Sequence, residues 1–200
     1  DMTAAGAVWG TSWDLEVPLY FAPQGFAETP SLKRSNAFDI VGGECRAVRE
    51  NVGLLDITGF SRFEVSGPNA EAWLNSVFAT KLPAPGRARL AVALGHDGRL
   101  KGDLTLFNWG DGTWWIMGSY YLRRWHMRWF DGHMQEGVTI RDLGEEMAGF
   151  SLSGPNSMAV IERLTDGPVG DLSFMGCGNF DIGLIQAKVA RLSVTGEAGY

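Results

Sequence analysis

The sequence predicts an α+β fold made of duplicated strand–helix halves with antiparallel meander sheets. Two observations carry that prediction. Residues 88–119 read as three consecutive strands divided by His96-Asp97-Gly98 and Gly110-Asp111-Gly112, turns in which glycine supplies the positive φ that a tight hairpin needs. The unit strand, Ser-Gly-Pro-Asn, helix occurs twice, at residues 63–74 and 150–161, with Gly154 following Gly67 by 87 residues (154 − 67). That spacing is too long for a solenoid and suits two halves of one domain. A common strand-to-helix turn used twice would leave the same pattern.

Taken in order, residues 1–35 alternate Gly, Pro and aromatics, including Trp9, Trp13 and Pro18-Leu19-Tyr20-Phe21-Ala22-Pro23, and read as an extended, aromatic-anchored lead-in. A helix is expected from Ser35, capped by Ser35 or Asn36, with Phe38, Val41, Cys45, Val48 and Val52 forming an apolar stripe. Residues 54–58 and 62–65 read as a strand-like pair, and residues 70–78 as a helix with Pro68 near its first turn. After the three central strands, residues 121–130 resume helical spacing with Leu122, Trp125 and Trp129 on one side. Beyond the second Ser-Gly-Pro-Asn unit, Asp166-Gly167-Pro168 and Met175-Gly176-Cys177-Gly178 mark loops, and strands are expected at 184–187 and 190–194.

Composition narrows the function. The 200 residues carry a net charge of −6 and no Lys/Arg block beyond residues 123–128, which argues against nucleic acid and an acidic membrane surface as partners. No apolar run of about 18 residues exists to span a bilayer. Cys45 and Cys177 form neither a disulfide framework nor a metal spacing, which fits a reducing, intracellular compartment. His96, His126 and His133 show no partner spacing, so no metal site is expected. Gly176-Cys177-Gly178-Asn179-Phe180-Asp181 lacks the third glycine and following helix of a dinucleotide loop, and no phosphate loop or Gly-x-Ser-x-Gly elbow appears.

Asp103 is the carboxylate best placed for chemistry, because it lies mid-strand on a sheet that can aim it. Alternation puts Leu100, Leu104 and Leu106 on one face and Lys101, Asp103, Thr105 and Phe107 on the other, so a solvated face accounts for this carboxylate equally well. Gly95, Gly98, Gly102 and Gly118 leave room for a flat ligand to approach the backbone.

Four motifs then carry a resemblance: Val52-Gly53-Leu54-Leu55-Asp56-Ile57-Thr58, Phe63-Glu64-Val65-Ser66-Gly67-Pro68-Asn69-Ala70, Asp97-Gly98-Arg99-Leu100-Lys101-Gly102-Asp103-Leu104-Thr105, and the segment 191–200 containing Thr195-Gly196-Glu197. In this order and spacing they are similar to the folate-binding domain of the aminomethyltransferase (glycine cleavage T-protein) family, over residues 37–200. The lead-in, Trp13-Asp14-Leu15-Glu16-Val17-Pro18 through Lys33-Arg34-Ser35-Asn36, resembles the flavin-to-folate junction of dimethylglycine and sarcosine dehydrogenases. Residues 1–36 are therefore expected to be a junction and residues 37–200 a folate domain truncated at its C-terminus. FAD would enter only through a flavin domain before Asp1, and a barrel domain would follow Tyr200.

The resemblance implies tetrahydrofolate as cofactor and a small methylated amine as donor, with 5,10-methylenetetrahydrofolate as product and a cytoplasmic setting, or the mitochondrial matrix in a eukaryote. Asp103 matches the family's catalytic aspartate. Phe107 and Ser119 fall where the family has an aromatic and a pterin-contacting asparagine. Leu90 and Val194 replace two family tyrosines, Glu197 belongs to the Thr-Gly-Glu motif in a supporting role, and the family's pterin-gripping acid falls one position beyond Tyr200. Those departures keep two alternatives in view: a tetrahydrofolate-dependent O- or S-demethylase, and a folate-binding module without transferase chemistry.

Overall fold

A computed structural model describes residues 1–12, 15–165 and 167–200. Trp13 and Asp14 of the lead-in and Asp166 of the loop at 166–168 lie outside the described residues. The chain runs β1 (Ala7–Ser12), β2 (Leu15–Phe21), α1 (Phe38–Glu50), β3 (Gly53–Asp56), β4 (Ser61–Ser66), α2 (Ala70–Val77), β5 (Arg87–Leu94), β6 (Leu100–Asn108), β7 (Trp114–Gly118), α3 (Arg123–Asp131), β8 (Thr139–Asp142), β9 (Phe150–Ser153), α4 (Ser157–Ile161), β10 (Cys177–Ile182) and β11 (Ile185–Ala190).

The three expected central strands are β5, β6 and β7, joined through turns in which Gly98, Gly110 and Gly112 have positive φ. They extend into a five-stranded antiparallel sheet of order β5-β6-β7-β4-β8. One face carries Phe63, Val65, Ala91, Ala93, Leu104, Leu106 and Ile116, and α2 and α3 cover it with Trp73, Leu74, Val77 and Phe130. Trp125 and Trp129 stack on each other along α3, but the residues of that helix buried in the core are His126 and Phe130. The sequence spacing thus found the helix, and of the side it marked Trp129 packs partly against the core, beside the fully buried Phe130.

The duplicated units fold alike and pair crosswise. Residues 54–58 and 62–65, expected to form a pair, do not meet: β3 pairs with β9, the strand of the second unit, and β8 pairs with β4, the strand of the first. Ser66 stands opposite Thr139 and Ser153 opposite Gly53, and the amides of Asn69 and Asn156 donate to the carbonyls of Gly137 and Asn51. Gly67 (φ 110°) and Gly154 (φ 127°) turn each strand into its helix, and a Cβ on either would run into those same carbonyls. Gly154→Ala is expected to cost roughly 1–3 kcal/mol through the disfavoured backbone alone. A denaturation midpoint equal to wild type would contradict it.

The lead-in is a hairpin of β1 and β2, packed on α1 through Val8, Tyr20, Ala22, Ala37 and Ile40. Helix α1 begins after Ala37 with no side-chain cap; Ser35 Oγ accepts the Ala37 amide, and Asn36 instead joins Thr29 to Ala27. Its stripe turns outward, with Phe38, Val41 and Cys45 exposed, because Ile40 and Glu44 make the hairpin contact, the latter accepting the Phe21 amide at 2.8 Å. The last strands occupy 177–182 and 185–190, with Gly183 (φ 61°) in the tight turn: the strand expected at 184–187 lies in β11, and its partner precedes it, starting within the expected loop at 175–178, where 190–194 was expected. Residues 191–194 carry no regular strand, while Tyr200 pairs through its backbone with Leu152.

Candidate functional site

Residues opposite one another in antiparallel strands share a face. On the face away from α2 and α3, the sheet therefore presents three rows: Val92 with Asp103; Leu90 with Thr105, Met117 and Arg62; and Ala88 with Phe107, Trp115, Glu64 and Arg141. The last row is closed over. Phe107 is 3% exposed, stacks on Trp109 at 5.2 Å and packs with Leu143 and Cys177, and burial pushes the Cys177 thiol up to about 11. The Lys188 ammonium lies over Trp109 and Trp115 at 4.7 and 5.5 Å and joins Asp111 at 3.1 Å, fastening β11 across this end.

The first two rows are open. Asp103 is exposed and makes no hydrogen bond or ion pair among the described residues, Leu90 is 57% exposed, and Thr105 and Met117 are half-buried. Ser119, just past β7, is exposed, and its carbonyl accepts the Ser61 hydroxyl. Arg62, buried beneath this face, donates to the carbonyls of Ile57, Thr58 and Phe60 and fits only because Gly149 has no side chain. Burial lowers its pKa, and its work is to hold the connector from β3 to β4.

Beside the closed row, the segment after β11 borders a groove of about 540 Å³ lined by Phe174, Arg191, Leu192, Val194 and Glu197 among others. Leu192 and Met175 pack against the buried cluster of Phe107, Trp109 and Trp115, which sets the groove beside the closed row. Val194 is 99% exposed. The Thr195 hydroxyl donates to Glu197 and holds its carboxyl below the usual carboxylate range. Leu90 and Asp103 thus share one open surface, Val194 and Glu197 share the groove, and Phe107 is built into the core between them. Thr105 and Met117 were missed as site residues although strand register alone would have placed them. Phe174 carries no sequence signal, since a loop brings it in, while Arg191 opens the segment 191–200 but was not singled out.

One expectation about this face changes. The pairing steps from Ala93–Gly102 to Leu94–Leu100, a bulge that leaves Lys101 without a partner. Lys101 turns away from Asp103 and lies over Trp129 of α3 at 6.0 Å. Around it, His96 and His133, remote in sequence, line one groove with Asp97 and Trp129. No cluster of three metal-ligating side chains occurs among the described residues.

A rigid sheet that holds one free carboxylate among Leu90, Thr105 and Met117, beside a groove with a second carboxylate, can bind a flat polar molecule and take a proton from it. This architecture is the aminomethyltransferase fold. The chain superposes on the glycine cleavage system aminomethyltransferase T of Bartonella henselae with a TM-score of 0.79, at 20% identity, over 98% of this chain and 49% of that one. It also matches a chain of the heterotetrameric sarcosine oxidase of Corynebacterium sp. U-96 with a TM-score of 0.58, at 17% identity, over 84% and 85%. Residues 1–200 match the sequence model of the GCVT N-terminal domain, and the chain belongs to that family. Mitochondrial dimethylglycine dehydrogenase of Mus musculus is 26% identical over 193 residues, 94% of this chain and 22% of that protein. Aminomethyltransferase of Geobacillus kaustophilus is 27% identical over 166 residues, 82% of this chain and 46% of that protein. The chain therefore spans less than half the length of either relative. No described helix is long and apolar enough to cross a membrane.

Proposed function

We propose that this chain is the folate-binding domain of a tetrahydrofolate-dependent one-carbon transferase that forms 5,10-methylenetetrahydrofolate from an amine of the dimethylglycine or sarcosine type. The observation that carries the reading is Asp103: a carboxylate without a partner among the described residues, fixed mid-sheet on an open face with Leu90, Thr105 and Met117. Similarity to dimethylglycine dehydrogenase over 94% of the chain supports the amine donor.

The residues present fit such a ligand. Leu90 and Met117 offer an apolar floor for a flat ring, and Asp103 on the same face offers an acceptor for an N–H group of it. Tetrahydrofolate, when bound, supplies the nucleophilic nitrogen that takes up the carbon. Asp103 accepts the proton that this nitrogen releases as the new C–N bond forms, and its charge stabilises the cationic carbon on approach. The demethylated amine departs with its bonding electron pair as a second folate C–N bond closes the methylene bridge; of the two N–H protons the folate gives up, Asp103 takes one and the departing amine the other. The oxidation that creates the cationic carbon belongs to a flavin domain outside these residues, and in a eukaryote the matrix is the fitting compartment.

Titrating the full-length protein with tetrahydrofolate tests the reading. Saturable binding, weakened by Met117→Lys on the open face and untouched by the exposed Leu184→Lys remote from it, is expected. Absence of saturable binding would overturn it.

A further inference from the structure

The turn between β5 and β6 and the helix α3 border a groove of about 440 Å³, lined by Gly95, His96, Asp97, Lys101, Trp129 and His133. It opens on the side of the sheet that α3 covers, away from Asp103.

Two features of the backbone bring Lys101 into this groove. The bulge in β6 takes its side chain off the face of Asp103. Gly95 leaves the space its end occupies, since a Cβ there would stand 2.5 Å from Lys101 Cε and 3.5 Å from Nζ. The ammonium of a surface lysine ordinarily reaches into water. Here the side chain is half-buried, with Nζ 6.0 Å from the centre of the Trp129 ring, and it makes no ion pair among the described residues. Asp97, the carboxylate of the groove, is engaged within its own turn: it accepts the Arg99 amide at 3.1 Å and pairs with Arg99 Nε at 3.6 Å.

The walls are flat and held in place. Trp129 stacks on Trp125 with the ring planes 2° apart, and the His133 ring centre lies 4.0 Å from that of Trp129. His133 Nδ1 stands 2.7 Å from the Trp129 carbonyl; a carbonyl only accepts, so Nδ1 carries the hydrogen and the imidazole is fixed against the helix. Aromatic faces bind flat rings, and a half-buried ammonium binds a carboxylate through a charge-assisted hydrogen bond. A few placed polar groups on apolar walls are what a small-molecule site consists of.

We infer that this groove is a ligand site separate from the open face, and that it takes a planar aromatic carboxylate: the ring lies against Trp129 and His133, and the carboxylate pairs with Lys101. The site stands whether or not the open face takes a folate.

Benzoate is the probe, titrated into the full-length protein and followed by saturation-transfer NMR. Benzamide, uncharged, and cyclohexanecarboxylate, charged but not flat, are its counterparts. Benzoate is expected to bind saturably and the other two at least tenfold more weakly. Lys101→Met keeps the stem and loses the charge, and it should weaken benzoate at least tenfold, with Lys101→Arg restoring it. Gly95→Ala places a methyl where the end of Lys101 lies and should weaken benzoate as well, which gives a second reading should Lys101→Met melt below wild type. Leu90→Ser, on the open face, is expected to leave benzoate affinity unchanged. No saturable binding of benzoate, or equal affinity for benzoate and benzamide, would overturn the inference. So would wild-type affinity in both Lys101→Met and Gly95→Ala, or a loss of benzoate binding in Leu90→Ser.

Discussion

Asp103→Asn is expected to slow methylene transfer by a factor of about 100 to 10,000 while leaving the fold untouched. The two effects separate because of where this carboxylate sits. It is exposed and has no hydrogen bond or ion pair among the described residues, so its removal should alter stability by no more than about 0.5 kcal/mol. The amide that replaces it keeps the shape of the side chain and can neither accept the proton nor carry the charge. Single-turnover transfer and a thermal melt on the same preparation measure both. A wild-type transfer rate would remove Asp103 from the chemistry, and a large drop in melting temperature would mean that it does structural work the geometry does not show.

Phe130→Ala should have the largest effect on stability. Phe130 is fully buried where α3 meets the sheet, edge-on to Phe63 at 5.3 Å and to Trp73 at 5.9 Å, with Phe78 at 6.4 Å. Truncating a phenylalanine in such a place costs about 3–5 kcal/mol, against a total of about 5–15 kcal/mol for a typical domain. Urea denaturation should show a much lower midpoint at an unchanged slope. A loss under about 1 kcal/mol would mean that the aromatic cluster collapses around the gap.

The central meander was legible because each boundary carries a chemical cause. Asp97-Gly98 and Gly110-Asp111-Gly112 can hardly be anything but turns, and the alternation through Ala91, Ala93, Leu104 and Leu106 marks the buried face. The two Ser-Gly-Pro-Asn units were legible as repeats because glycine is obligatory where the strand turns into its helix. Their crossed pairing was hidden, since nothing in Gly53-Leu54-Leu55-Asp56 says whether its partner lies five residues on or near residue 150.

The mid-strand place of Asp103 on the face it shares with Thr105 was legible from alternation. The bulge at Lys101 was not, because an extra residue in a strand leaves no compositional mark, and it alone decides that Lys101 and Asp103 part company. The outward stripe of α1 misled for a related reason. A helix packed on a two-stranded hairpin needs little apolar surface, so the periodic apolar positions and the contacting ones differ.

The proposed reaction passes a one-carbon unit from a methylated amine to tetrahydrofolate on the face that carries Asp103. The most direct measurement follows the carbon itself: dimethylglycine labelled with ¹³C in its N-methyl groups is turned over by the full-length protein with tetrahydrofolate present, and the products are read by NMR. The label is expected in the methylene bridge of 5,10-methylenetetrahydrofolate for the wild type, and in free formaldehyde for Asp103→Asn. Label released as formaldehyde by the wild type whether or not tetrahydrofolate is present, or appearing as a methyl group on the folate, would rule out methylene transfer at Asp103.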